Sequence, residues 1–270
     1  MGSKLRLAKD ILPIILKNRK ENQYYIEPFV GGCNMIDKVK GNRIASDSNK
    51  YLIALWKGLQ DGREIIMDIP KELYDKARNQ YNNKENHNFD DFTIGWIGFM
   101  ASFNGRFYGG GYSGKHKNRD YVNEQIRNTL KQIESIKGIV FNYCNYEQLK
   151  IPKGSIIYCD IPYKGTKEYD TKNKFNYDDF WQWCREMSNE NYVFISEYEA
   201  PFDFKCIWQK NINVNIRPGT NQIKIERLFI YDTELYYEDE ETTANINEET
   251  EELNQEYISD CIEGIKNLNY

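Results

Sequence analysis

Two short apolar runs constrain this chain more than any other feature, because each ends in an acidic residue followed by a loop built around proline. The first leads into Glu27-Pro28-Phe29-Val30-Gly31-Gly32; the second, Ser155-Ile156-Ile157-Tyr158-Cys159, leads into Asp160-Ile161-Pro162-Tyr163. An unbroken apolar run of this length is what a strand covered on both faces looks like, and such strands belong to parallel sheets layered with helices. In an open sheet of that kind, ligands gather at the carboxyl ends of the strands, where both loops fall. The expectation is an α/β fold in which a cofactor-binding turn and a catalytic loop share one sheet edge.

The chemistry of the second loop can be argued atom by atom. Asp160 at the strand end faces a crevice, not bulk water. Pro162 fixes its own backbone and drives Ile161 into an extended conformation, so the Ile161 carbonyl is held in one direction. Two acceptors then converge on one point, and an exocyclic amino group of a nucleobase satisfies both. Drawing on both N–H bonds makes that nitrogen more tetrahedral and frees its lone pair to attack a methyl sulfonium. Tyr163 offers a flat face for the base, worth about 1–3 kcal/mol by comparison with other base–aromatic contacts. A base inside a duplex must leave the stack to reach it.

In these loops the chain resembles the Dam-type (D12 class) DNA adenine N6-methyltransferases, which carry an acidic-Pro-Phe-x-Gly cofactor loop and an Asp-Pro-Pro-Tyr catalytic loop in this order. The likeness spans roughly the first 230 residues. Gly2-Ser3-Lys4 before an apolar helix ending near Ile14 and Ile15 is similar to the family's N-terminal element, which implies that Lys4 lies near cofactor and catalytic loop. Ile44-Ala45-Ser46-Asp47-Ser48-Asn49 resembles the second cofactor motif, which implies that Asp47 takes the ribose hydroxyls of S-adenosylmethionine. Asn145-Tyr146 stands where the family has a polar or acidic residue and an aromatic beside the cofactor adenine. The resemblance thus implies a Rossmann-like S-adenosylmethionine-dependent methyltransferase sheet with an inserted target recognition domain. It implies cofactor contacts at Lys4, Glu27, Pro28, Phe29, Val30, Gly31, Gly32, Asp47, Asn145, Tyr146 and Asp160, and catalysis at Asp160, Ile161, Pro162 and Tyr163. Ile161 departs from the family by replacing the first proline, which keeps the carbonyl but removes a rigid ring. Cys33 replaces a small residue of the cofactor loop.

Taken singly, each motif has a plainer reading. Gly31-Gly32 can be a tight turn, Asp-x-Pro-Tyr an ordinary loop, and Asp47 the N-cap of a helix from Lys50 to Leu59 whose apolar face is Tyr51, Leu52, Leu55, Trp56 and Leu59. Order and context favour the joint reading, since each motif follows a strand-like run. Two rival functions share the residues: a cytosine N4-methyltransferase, which more often has Ser at the first loop position, and a catalytically silent DNA-binding regulator or decoy. RNA in place of DNA is not excluded by charge, which reports phosphate and not sugar.

Composition narrows the setting. The chain of 270 residues has room for one α/β domain with an insertion. It holds no apolar stretch long enough to span a bilayer, and Arg6, Lys9 and Asp10 interrupt the N-terminal apolar segment, which lacks a small-residue cleavage site; the cytoplasm is the expected compartment. Six scattered cysteines and two histidines indicate neither a zinc site nor a disulfide framework. Residues 232–270 hold 13 acidic residues and one basic, a local charge of −12 against −5 for the whole, which leaves +7 for residues 1–231. A basic body suits phosphate contacts with double-stranded DNA. The sequence names no partner nuclease.

The expected division is a catalytic domain from 1–56 and 138–232, a target recognition domain from 57–137, and an acidic tail from 233–270. Between Leu59 and a helix Tyr121 to Lys137, about sixty residues fit alternating strand and helix poorly. They contain Phe103-Asn104-Gly105-Arg106-Phe107-Tyr108-Gly109-Gly110-Gly111-Tyr112, then Lys115, His116, Lys117, Asn118 and Arg119. Arg106, Lys115, Lys117 and Arg119 are the candidate DNA contacts, and the aromatics beside them are candidate wedges between bases; the plainer reading is a solvated loop. Strands are expected at Gln23–Glu27, Arg43–Ser46, Gly138–Tyr143, Ile156–Cys159 and Tyr192–Ser196, with a closing antiparallel pair at Phe204–Trp208 and Lys224–Tyr231. Asp178 or Asp179 is expected to cap a helix running through Met187. The tail has the composition of a flexible segment to Glu256, then helical spacing of Ile258, Ile262, Ile265 and Leu268.

Overall fold

Strand pairing builds one sheet from the predicted runs. The computed structural model describes residues 4–163, 175–217 and 220–232, apart from the side chains of 213–217 and 220–222. Gly2, Ser3, the loop after Tyr163 and the acidic tail lie outside the described residues. Nine strands are described: β1 (Tyr25–Glu27), β2 (Arg43–Asp47), β3 (Lys115–His116), β4 (Arg119–Asp120), β5 (Ile139–Tyr143), β6 (Ile156–Asp160), β7 (Tyr192–Glu197), β8 (Phe204–Arg217) and β9 (Thr220–Tyr231). Seven of them form a sheet in the order β5-β2-β1-β6-β7-β9-β8, parallel from β5 through β7. β9 runs antiparallel to β7, and β8 antiparallel to β9. The chain leaves β1 outward to β2 and β5, then returns to β6 on the other side of β1. That reversal opens a crevice at the carboxyl ends of β1 and β6.

The two faces of this sheet are read directly from residue alternation, since successive side chains point to opposite sides. Tyr25, Ala45, Ile156 and Tyr158 enter one buried cluster. Ile26, Ile44, Ile157 and Cys159 enter the other. The first face is covered by α1 (Ala8–Ile15), α2 (Lys50–Gln60), α3 (Lys71–Tyr81), α4 (Asp91–Ala101), α5 (Tyr121–Leu130) and the short α6 (Ile133–Ile136). The second is covered by α7 (Tyr177–Ser188), through Phe180, Trp181, Trp183 and Cys184.

Several details correct the sequence expectations. The N-cap of α2 is Asn49, whose side chain accepts from Tyr51 N at 3.0 Å and Leu52 N at 3.2 Å, leaving Asp47 for other partners. Asn176, not Asp178 or Asp179, caps α7. The helix expected over Tyr121 to Lys137 breaks after Leu130. The closing strands are longer than predicted, because the polar positions of 209–217 pair with 220–227 as a hairpin that runs on past β7, whose last partner is Arg227.

The largest difference lies between α2 and α5, where the expected irregular stretch contains α3, α4 and the β3–β4 ribbon. Every residue of α4 from Ile94 to Ala101 is buried. Such a helix has no polar stripe to betray its period. It also approaches α2 closely: a Cβ on Gly95 would meet the Tyr51 carbonyl oxygen at 2.2 Å, so glycine is required there. Phe107, Tyr108 and Tyr112, candidate wedges from the sequence, are part of this packing. Phe107 stacks on Phe99 at 4.5 Å, Tyr108 Oη donates to the Ile94 carbonyl at 2.9 Å, and Tyr112 Oη to that of Ile69 at 2.8 Å.

Candidate active site

The turn after β1 is held from both sides. Val30 N donates to the Ser46 carbonyl at 2.9 Å, and Ser46 Oγ donates back to that of Pro28 at 3.2 Å, so the loop is stitched to β2. Gly31 takes φ +46°, a left-handed conformation that a side chain would strain, and its carbonyl accepts from Trp56 Nε1 at 3.0 Å. Gln132, at the break between α5 and α6, donates to the Gly32 carbonyl at 3.1 Å and to Asp37 at 3.0 Å. Cys33 is buried with φ +55°, so the residue that departs from the family pattern fills core beneath the turn. Glu27 is buried below it and accepts from Tyr25 Oη at 3.0 Å. Burial pushes its carboxyl well above the usual range, against that hydrogen bond.

Beside the turn, Asp47 accepts from Asn49 N at 2.9 Å and from Gly31 N at 3.3 Å. Burial raises its pKa to about 6, and the two backbone donors hold it from rising further. Phe29 lies 5.3 Å from Tyr146 and 5.7 Å from Phe180, both buried in the second cluster, so Phe29 is the half-buried ring of the three beside the turn. Asn145 caps the turn that carries Tyr146, accepting from its N–H at 2.9 Å. The donor set fits a nucleoside. A carboxylate with lone pairs left over can take ribose hydroxyls, and the rings suit a flat heterocycle.

The catalytic loop converges on the same edge. Ile161 is 3% exposed and packs in the second cluster, so burial of its side chain anchors the loop where the family has a proline ring. The Pro162 carbonyl accepts from Tyr177 Oη at 2.8 Å, tying the loop to the start of α7. Lys4 reaches in from the N-terminal turn with its Nζ 3.1 Å from Asp160 and 2.7 Å from Glu226 of β9. Tyr163 Oη accepts from Lys4 and donates to Glu226, and its ring meets Tyr198 edge-on at 4.5 Å. Burial works against the Lys4 charge, but Asp160 and Glu226 outweigh it and raise its pKa. Burial also raises that of Asp160; Lys4 opposes the shift and Glu226 adds to it.

A carboxylate, a proline-fixed carbonyl and a tyrosine ring therefore stand at the end of β6, next to a glycine turn with a ribose-competent aspartate, and this is the arrangement the motifs of one family encode. The model of the D12 class N6 adenine-specific DNA methyltransferases matches residues 1–203. The chain belongs to that family. No curated protein matches it. Among solved structures, it is similar to SMU.472, described as a methyltransferase and complexed with SAH. The identity is 12%, the TM-score 0.33, and the match covers 86% of this chain and 53% of that one. The chain thus spans about half the length of that structure, and a likeness so distant supports nothing about function.

As a D12-class protein the chain brings its predicted residues to two places. Lys4, the Glu27 to Gly32 turn, Asp47, Asn145, Tyr146 and the Asp160 to Tyr163 loop gather at the carboxyl edge, with Lys4 on the catalytic loop. Arg106, Lys115, Lys117 and Arg119 lie on the surface of the α4–α5 connection. Two of them already have partners: Arg119 forms a two-pronged pair with Glu124 at 2.7 and 2.8 Å, and Lys115 lies 3.5 Å from Asp120. Phe103 is the exposed aromatic of that connection.

Sequence reasoning missed four residues bonded to these loops: Trp56, Gln132, Tyr177 and Glu226. Trp56 and Tyr177 act from helices through hydrogen bonds to the two loops, and Gln132 from the break between α5 and α6. Glu226 left a signal, a lone acidic residue inside the apolar strand run Lys224 to Tyr231. It is 1% exposed.

Proposed function

We propose that this protein transfers a methyl group from S-adenosylmethionine to the N6 amino group of adenine in double-stranded DNA. The observation that carries the reading is Asp160 at the end of β6, with the Ile161–Pro162 backbone fixed beside it and Tyr163 next in line. Family membership supports the base and the methyl donor. The cofactor fits the Phe29–Gly32 turn, the Asp47 carboxylate and the Phe29–Tyr146 rings, and when bound it supplies an activated methyl group on a sulfonium.

The chain's own residues supply position and polarisation. Asp160 accepts one amino N–H of the target base and the Ile161 carbonyl accepts the other, which turns the nitrogen lone pair outward. Tyr163 stacks on the extruded base, offsetting part of the cost of unstacking it. Because the methyl group arrives activated, orientation carries most of the rate. The surplus proton on nitrogen leaves after transfer, so Asp160 need not be a strong base. We assign target recognition to the 57–137 insertion, with Arg106, Lys115, Lys117 and Arg119 on the phosphates or guanine edges. Such an enzyme suits the modification half of a restriction–modification pair, working in the cytoplasm.

The test is incubation with labelled S-adenosylmethionine and unmethylated double-stranded DNA of mixed sequence, followed by digestion to nucleosides. Label is expected in N6-methyldeoxyadenosine. Label in N4-methyldeoxycytidine would keep the mechanism and change the base; no label, with cofactor and DNA both bound, would replace the enzyme with a silent DNA-binding protein. Asp160→Ala is expected to abolish transfer and leave cofactor affinity within a few-fold. Near-normal turnover in that variant would remove Asp160 from the mechanism.

A further inference from the structure

Glu226 stands at the centre of the catalytic loop's hydrogen bonds, yet it comes from β9, beyond residues 1–203 covered by the family model. It is 1% exposed, sits 2.7 Å from Lys4 Nζ and accepts from Tyr163 Oη. Lys4 therefore serves two carboxylates, and the nearer one is not Asp160. This matters for the reaction proposed above. An ammonium paired with Asp160 alone would neutralise the acceptor that must draw on the base amine. A second carboxylate shares that ammonium, so the group keeps net negative charge beside an incoming sulfonium. The same carboxylate fixes the Tyr163 hydroxyl and with it the plane on which the base stacks.

We propose that Glu226 is a positioning residue for methyl transfer, holding Lys4 and Tyr163 so that Asp160 keeps its acceptor strength and the stacking face is fixed in advance. The charged and titratable groups around the pair are Lys4 from the N-terminal turn, Glu27 from β1, Tyr158 and Asp160 from β6, Tyr163 from the loop and Tyr198 after β7. The inference rests on the methyltransferase reading, so one of its readouts is independent of activity.

The experiment compares wild type with Glu226→Gln and Glu226→Asp. With mixed-sequence DNA and labelled S-adenosylmethionine, Glu226→Gln is expected to lower kcat by about tenfold or more while the cofactor KM stays within about twofold. Because Glu226 disfavours the Asp160 carboxylate, its neutralisation is also expected to move the acid limb of the pH–rate profile to lower pH. Glu226→Asp restores a large part of kcat. In ¹⁵N-lysine-labelled protein, the Lys4 ammonium, assigned with Lys4→Arg, is expected to exchange its protons slowly in wild type and fast in Glu226→Gln. Unchanged kcat and acid limb would overturn the catalytic role. An unchanged Lys4 signal would overturn the clamp itself, and that result stands even if the wild type transfers no methyl group, which would refute the reaction and not the clamp. Should Glu226→Gln fail to fold, Glu226→Asp carries both readouts: slow Lys4 exchange, a large part of the wild-type kcat and the wild-type acid limb are expected in it, and fast Lys4 exchange or a loss of kcat of about tenfold overturns the proposal.

Discussion

An ionised carboxylate accepts from two ribose hydroxyls with both oxygens, whereas a protonated one gives up acceptor strength and turns one oxygen into a donor, and Asp47 is held where its proton leaves at about pH 6. Cofactor binding to the ionised form must therefore expel a proton at any pH below that value. The affinity for S-adenosylmethionine is expected to fall by about fivefold from pH 6 to pH 5, where an ordinary aspartate would leave it almost flat. The sign for stability is opposite: a raised carboxyl favours the fold when protonated, a contribution lost as pH rises through 6. Calorimetric titration of cofactor binding at several pH values checks the first statement, and Asp47→Asn should bind weakly with no slope. Asp160 and Tyr163 could be read from the sequence because each lies in a contiguous motif whose neighbours dictate its place. Lys4 and Asp47 could be read only through resemblance, and Glu226 only as a lone acid in a strand run, with nothing to name its partner. Its contact with Lys4 joins residues 222 apart in the chain, and no local pattern encodes a pairing made by the sheet.

At the level of elements, the strands of the seven-stranded sheet were legible, and the β3–β4 ribbon and several helices were not. Runs such as Ile156 to Cys159 announce themselves because a doubly covered strand is apolar throughout. α4 is apolar for the same reason, but a helix buried all round loses the periodic stripe by which helices are recognised. Its neighbours then misled: Phe107 and Tyr108 beside Arg106 look like a DNA-binding surface, while the structure spends them on packing against α3 and α4. What that connection leaves outside is charge, concentrated on the β3–β4 ribbon. Lys115 is 80% exposed, and Lys117 sits in the turn with φ +52°. If both contact phosphates, replacing them with alanine removes two released counterions. The slope of log affinity against log salt should then become shallower by about two, equally for all DNA sequences. Filter binding over a salt series measures it. Arg119 should behave otherwise, because Glu124 must release it first; Glu124→Gln is the control that frees it.

The whole molecule separates its charge along the chain. Residues 1–232 carry +6 and the remaining 38 carry −11. The candidate basic contacts are exposed on the α4–α5 connection, and the acidic part follows β9, which holds Glu226 at the crevice edge and then runs antiparallel to β7, away from it. A polyanion joined to a basic surface competes with DNA at an effective concentration set by the length of its tether, in the millimolar range for a short flexible one. Such competition weakens non-specific binding more than specific binding, since non-specific affinity is almost entirely electrostatic. Truncation after Asp232 is therefore expected to tighten binding to mixed-sequence DNA at low salt and to steepen its salt dependence, with methyl transfer at saturating DNA unchanged. Because the competition is screened, the difference between full-length and truncated protein should shrink as salt rises and the Debye length contracts from ~10 Å at 0.1 M. Equal affinities and equal salt slopes for the two forms would show that the acidic segment does not act on the DNA surface.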